Sequence, residues 1–178
     1  MNNFKRNTIL GIIFCAVAGT LSHFLYNWSG GSTLVGVFTP VNESIWEHLK
    51  LLFYPVLIFS VYEYLSSRRE TDSFIPARTL SLITGMVFTL TAYYTITGII
   101  GRDISWVNVA IFFVSVLIVF LLTNCIIKNT KKVSKACIIW SLVAVAVFAT
   151  LLTGWTFYPP NLNVFIDMQT RTRGIYGI

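Results

Sequence analysis

Five runs of apolar residues, each close to the length that crosses a bilayer, leave this chain few ways to fold. A helix needs about 20 apolar residues to span roughly 30 Å of hydrocarbon. The runs fall at residues 8–26, 49–65, 79–101, 105–127 and 136–155. Backbone amides in lipid have no water to bond, so each run must be a helix. The connections are short, so the expectation is a single all-α membrane domain over residues 1–178, a bundle of five transmembrane helices with a tail at 156–178. Composition agrees: 55% of residues are hydrophobic and 11% charged, against roughly a quarter charged in soluble domains. A lone soluble fold, a disordered chain and a coiled coil are excluded.

The basic residues set the orientation. Lys5, Arg6, Arg68, Arg69, Arg78, Lys128, Lys131, Lys132 and Lys135 fall on one side, and Lys50, Arg102, Arg171 and Arg173 on the other. The positive-inside bias then predicts a cytoplasmic N-terminus and an extracytoplasmic C-terminal tail. These cations sit in short clusters between apolar runs rather than on a solvated basic face, so nucleic acid is not an expected partner; the lipid bilayer is. Lys5-Arg6 before an apolar run also fits a signal peptide, with Ala16-Val17-Ala18 as a cleavage site. The apolar stretch continues through Leu21, Phe24, Leu25 and Tyr26, which favours a retained first helix.

Cys15, Cys125 and Cys137 map toward the reducing side under this topology and read as buried small hydrophobes rather than disulfide partners. No fixed-period repeat is visible, and five spans do not divide into equal halves, which weakens an inverted-repeat transporter. Trp28, Trp46, Trp106 and Trp155 fall near the outer interface, as an aromatic belt would. Glu63 lies near the inner end of the second span, close to Arg68 and Arg69, and reads as a carboxylate snorkelling to water. Ala16, Gly19, Thr20, His23 and Asn27 share a narrow sector of the first helix. Small and polar residues belong inside a bundle, so His23 is expected to face inward near the outer surface.

The segment from Thr39 to Lys50 stands apart. It places two carboxylates, a histidine and a lysine immediately before a membrane-crossing helix. Pro40 suits a first helical position with Thr39 as cap, and Ser44-x-x-Glu47 reads as a capping box. Glu43 and Glu47 then share a face with Lys50 and Trp46, while His48 lies about 100° round from Glu47. Glu43, Glu47 and His48 cannot all aim at one atom from an unbroken helix. Capping and the helix dipole account for both glutamates. They account for neither histidine.

His23 closes the first helix and His48 opens the second on the same side, and the chain has no other histidine. A short connection brings these helix ends together. Two imidazoles and a carboxylate suit zinc or another divalent metal with one position left for water, and His23, His48 and Glu47 are the expected ligands. Glu43, Glu47 and His48 are also candidates for metal-free acid and base work. Asn42, Glu43, Trp46 and Lys50 are the candidate ligand-binding residues. No HExxH or HxxEH pattern is present.

Pro40-Val41-Asn42-Glu43-Ser44-Ile45-Trp46-Glu47-His48-Leu49-Lys50, followed by Leu51-Leu52-Phe53-Tyr54-Pro55, carries a resemblance along with His23-Phe24-Leu25-Tyr26 and the two ends of the tail, Tyr158-Pro159-Pro160 and Gly174-Ile175-Tyr176-Gly177-Ile178. Together they resemble an uncharacterised family of small bacterial membrane proteins, a domain of unknown function. The resemblance implies a multi-pass protein of a bacterial inner or plasma membrane. It implies no activity, substrate or site.

Pro159-Pro160 should stop the fifth helix, yet Val164, Phe165 and Ile166 follow it. The tail is therefore expected to fold across the outer mouth near His23 and His48, with Asp167, Arg171 or Arg173 making polar contacts. Three functions fit: a membrane protein binding a small ligand, lipid or protein partner at an outer polar site; an intramembrane metal-dependent hydrolase using His23, His48 and Glu47 or Glu43; and a small carrier or transporter subunit, disfavoured by the lack of deep charges.

Overall fold

The computed structural model describes residues 3–66, 72–130 and 132–177. They form α1 (Asn3–Trp28), α2 (Thr33–Phe38), α3 (Ile45–Ser66), α4 (Phe74–Ile100), α5 (Ser105–Asn129) and α6 (Lys135–Phe157), with a single 3-10 turn at Asn163–Phe165. No strand occurs among the described residues; Ile166 and Arg173 make an isolated antiparallel bridge in the tail. All the helices except α2 are long and apolar enough to cross a membrane, which suggests a multi-pass membrane protein. Arg68, Arg69 and Lys131, used above for orientation, lie outside the described residues.

Helix α3 runs through the middle. Half of its apolar window is buried inside the protein, against 11% for α6. Leu49, Leu52, Phe53, Val56 and Phe59 carry the core, joined by Leu82 and Met86 from α4 and by Val116, Val119 and Phe120 from α5. Helix α1 approaches α3 closely because Gly19 has no side chain: a Cβ there would stand 2.7 Å from the Leu51 carbonyl oxygen. That carbonyl is itself unusual, because Pro55, four residues on, has no N–H to offer it. Helices α4 and α5 are joined at mid-depth by Thr89 and Ser115, whose hydroxyls lie 2.8 Å apart.

Several expectations are corrected. The polar turn before α3 is not helical from Pro40. Thr39 instead ends the short helix α2 in an extended conformation, as a residue before proline prefers, and α3 begins only at Ile45. Glu63 does not snorkel: it is buried and its Oε2 lies 2.6 Å from Arg78 Nη2 on α4. A carboxylate this deep needs a partner more than it needs water. Cys15 is buried, but Cys125 and Cys137 are exposed on the bundle surface. Trp28 and Trp106 are exposed as a belt requires, whereas Trp46 is buried. Its ring lies 4.8 Å from that of Trp155 and 5.0 Å from that of Phe165.

The tail does fold back. Phe165 is buried against these tryptophans, the Ile175 N–H donates to the Thr156 carbonyl at 2.9 Å, and the Asp167 carboxylate accepts the Glu43 N–H at 3.3 Å. Asn42 Nδ2 donates to the Gly174 carbonyl at 3.2 Å. The tail thus pins the irregular segment 40–44.

Candidate functional site

Within the Thr39–Lys50 segment the polar residues divide into a sealed set and an open set. Lys50 is fully buried, and its ammonium has an acceptor for each of its three protons. They are the Gly36 carbonyl at 2.7 Å, the Thr39 carbonyl at 3.2 Å and Glu47 Oε2 at 2.8 Å. The backbone carbonyls belong to the C-terminal end of α2, where carbonyls lack helical donors and attract cations. Glu47 Oε2 also accepts the Val41 N–H at 3.1 Å, and Oε1 accepts the Thr156 hydroxyl at 2.7 Å. This knot ties α2, the segment after it, α3 and α6 together.

The cap of α3 follows from the same arrangement. Ser44 Oγ accepts the Glu47 N–H at 3.3 Å, which is one half of the expected capping box. The reciprocal bond is made by Asn42, whose Oδ1 accepts the Ser44 N–H at 3.0 Å, so the Glu47 carboxylate is left for the knot. Residues 41–43 form a bend rather than a helical turn, and the bend turns Glu43 away from Glu47.

Glu43 consequently joins the histidines. His23, near the end of α1, and His48, in the first turn of α3, bring their Nε2 atoms to 3.2 Å. Glu43 Oε2 lies 3.5 Å from the first and 3.4 Å from the second. Their side chains are 31%, 23% and 39% exposed for His23, His48 and Glu43, enough to admit a further ligand. His48 Nδ1 lies 2.8 Å from the Ser44 carbonyl. A carbonyl only accepts, so Nδ1 carries a proton; Nε2 then donates to Glu43 when the ring is protonated and offers a lone pair when it is neutral. The Glu43 carboxyl is held well below the ordinary carboxylate range by hydrogen bonds from His23 first and His48 second, against the opposing effect of its partial burial. It is ionised at neutral pH.

Among the described residues these are the grouped His, Cys, Asp and Glu side chains with the spacing of a metal site. Around a tetrahedral ion with bonds of 2.0–2.1 Å, neighbouring ligand atoms stand about 3.3–3.4 Å apart. The three edges of 3.2, 3.5 and 3.4 Å match that figure. The backbone carbonyl behind His48 is the kind of outer partner that orients a ligating imidazole.

Beneath the triangle a cavity of about 420 Å³ descends between α1, α3, α4 and α5. Gly19, Phe24, Leu52, Ile111 and Phe112 make its walls apolar, while Asp103, Asn108 and the tail residue Gln169 stand at its polar edge. Its size suits a small ligand. Of the candidate ligand-binding residues, Glu43 lines this cavity; Asn42 holds the tail, Lys50 sits in the knot and Trp46 lies in the aromatic core. Of the candidate metal ligands, His23 and His48 meet, and the carboxylate beside them is Glu43 rather than Glu47.

Sequence reasoning did not single out Thr156, Asp103, Met168 or Gln169. The aromatic-free stretch Asp167–Arg173 carries no pattern that marks it as part of a cavity wall. Asp103 lies in a connection of ordinary polar residues, and only its hydrogen bond from Asn108, at 2.7 Å, fixes it there. The family model for DUF6512, described as a family of unknown function, matches residues 1–178. No curated protein and no solved structure matches the chain.

Proposed function

The chain belongs to DUF6512, a family of unknown function, and from that premise we propose that it holds a divalent ion of the zinc class between His23, Glu43 and His48 and uses it for hydrolysis at a membrane surface. The observation that carries the reading is the triangle of two Nε2 atoms and one carboxylate oxygen with edges of 3.2–3.5 Å. Three protein ligands with the fourth position open is the pattern of catalytic rather than structural zinc. His23, Glu43 and His48 all line the cavity.

Such an ion supplies a hydroxide at neutral pH. That chemistry would serve the hydrolysis of an ester or amide. Glu43 and the two histidines hold the ion, the Ser44 carbonyl holds His48, and the apolar walls exclude bulk water. The bias of Lys and Arg supports an extracytoplasmic rim for this centre, with the N-terminus in the cytoplasm.

The test is metal content. Full-length protein purified from membranes without chelator is expected to carry about one equivalent of a zinc-class metal per chain. His23→Ala, His48→Ala and Glu43→Ala should each weaken zinc binding by at least about 100-fold while the helical circular dichroism is kept. Absence of metal even after zinc is added back, or retention of wild-type binding in all three variants, would overturn the reading.

A further inference from the structure

A second cavity, of about 380 Å³, abuts the first and shares Ile45, Tyr93, Asp103 and Met168 with it. Its distinguishing residues are Arg102, just after α4, and Arg171, in the tail. Both side chains are exposed, and among the described residues neither makes an ion pair with a carboxylate. Arg171 has φ of 62°, a left-handed conformation that is unfavourable for a non-glycine residue. A hydrogen bond from its own N–H to the Asp167 carbonyl, 2.9 Å long, holds it there. Two arginines therefore line one cavity, with Asp103 at its shared edge, and guanidinium forks bind phosphate and carboxylate oxygens bidentately.

The two cavities differ in kind. The larger is mostly apolar and lies within the depth of the candidate spans; the smaller carries two arginines against one aspartate and lies at the end of α4. Ile45 and Met168 line both, and Ile45 lies between Glu43 and His48 in the chain. An occupant filling both has an apolar chain, an anionic head and a linkage between them near the triangle. On the footing of the metal reading, we infer that the substrate class is a phosphate-headed lipid: its chain lies between α1, α4 and α5, and Arg102 and Arg171 hold its phosphate. Two further features favour a lipid over a soluble phosphate. The walls of the larger cavity are apolar, and a chain in the bilayer reaches them without crossing water.

The experiment is native mass spectrometry of the full-length protein released from a neutral detergent, with zinc content read on the same samples. Phosphatidic acid and phosphatidylglycerol should be retained at least 10-fold better than phosphatidylcholine, whose choline opposes the arginines. Arg102→Gln and Arg171→Gln should each lower retention of the anionic lipids several-fold, and together abolish the preference, with zinc content unchanged. Val109→Trp, at an exposed position of α5 that lines the larger cavity, should abolish lipid retention and leave zinc in place. Equal retention of phosphatidylcholine, full retention in the double arginine variant, or displacement of the lipid by glycerol phosphate at matching concentration would overturn the inference. In each of those cases bound zinc would leave the metal centre standing; wild-type protein without zinc would remove the centre itself.

Discussion

Two polar clusters, drawn from the same ten residues of sequence, face opposite ways. Glu47 and Lys50 are buried with every charge-bearing atom satisfied: three acceptors for the ammonium and three donors for the carboxylate. Glu43 and His48 lie open on a cavity, with His23 as the nearest partner and room for another group. The contrast separates what builds the bundle from what is free to do chemistry. A saturated cluster has no remaining valence for a ligand, whatever its residue types. The open one has two imidazole nitrogens 3.2 Å apart beside one carboxylate oxygen.

The largest expected effect breaks the sealed side. Lys50→Ala would leave a buried carboxylate without its cation, and removal of one partner of a buried pair costs about 3–5 kcal/mol. Unfolding in detergent followed by circular dichroism reads this, and a loss below about 1 kcal/mol would mean that the knot is no more structural than a surface pair. The double variant Glu47→Gln with Lys50→Met removes both charges and should recover most of the loss, as replacement of whole buried pairs often does. Next in size is Thr156→Val. It removes a hydroxyl donor from Glu47 Oε1 and is expected to cost about 1.5–3 kcal/mol, the worth of a hydrogen bond to a charged group. Ser44→Ala removes the α3 cap and should cost about 1 kcal/mol.

The division between the two clusters was only partly legible in the sequence. Hydropathy located the spans because lipid imposes a length on each helix, and two lone histidines at adjoining helix ends were enough to bring their rings together. The carboxylate was a different matter. Glu43 and Glu47 are equally placed if the helix starts at Pro40, and what decides between them is tertiary. Helix α2, only six residues long, needs a cation at its end, and Lys50 supplies it and takes Glu47 along. Nothing local in Thr33–Phe38 announces that demand. Glu63 failed for a related reason. Its neighbours in sequence, Arg68 and Arg69, suggested water, whereas its partner Arg78 arrives from the next helix. A charge near the end of a span reads as interfacial until the packing of the following helix is known.

The smallest expected effect is the most discriminating. Glu43→Ala in metal-free protein should destabilise by no more than about 1 kcal/mol, the range of a partly exposed ion pair. Its backbone N–H still donates to Asp167, so the tail contact survives. Zinc changes the arithmetic. An ion that binds only the folded state at 100 times its dissociation constant adds about 2.7 kcal/mol. Wild-type protein should therefore gain thermal stability on titration with zinc, and Glu43→Ala should gain almost none at the same concentration. A Glu47→Gln variant, destabilised at the outset, should still gain the full increment, because Glu47 belongs to the sealed cluster. If zinc stabilises Glu43→Ala as well as it does wild type, the open cluster loses its third ligand and the distinction between the two regions collapses. Were zinc to stop stabilising Glu47→Gln while that variant kept its helical signal, the assignment of the two glutamates would have to be exchanged.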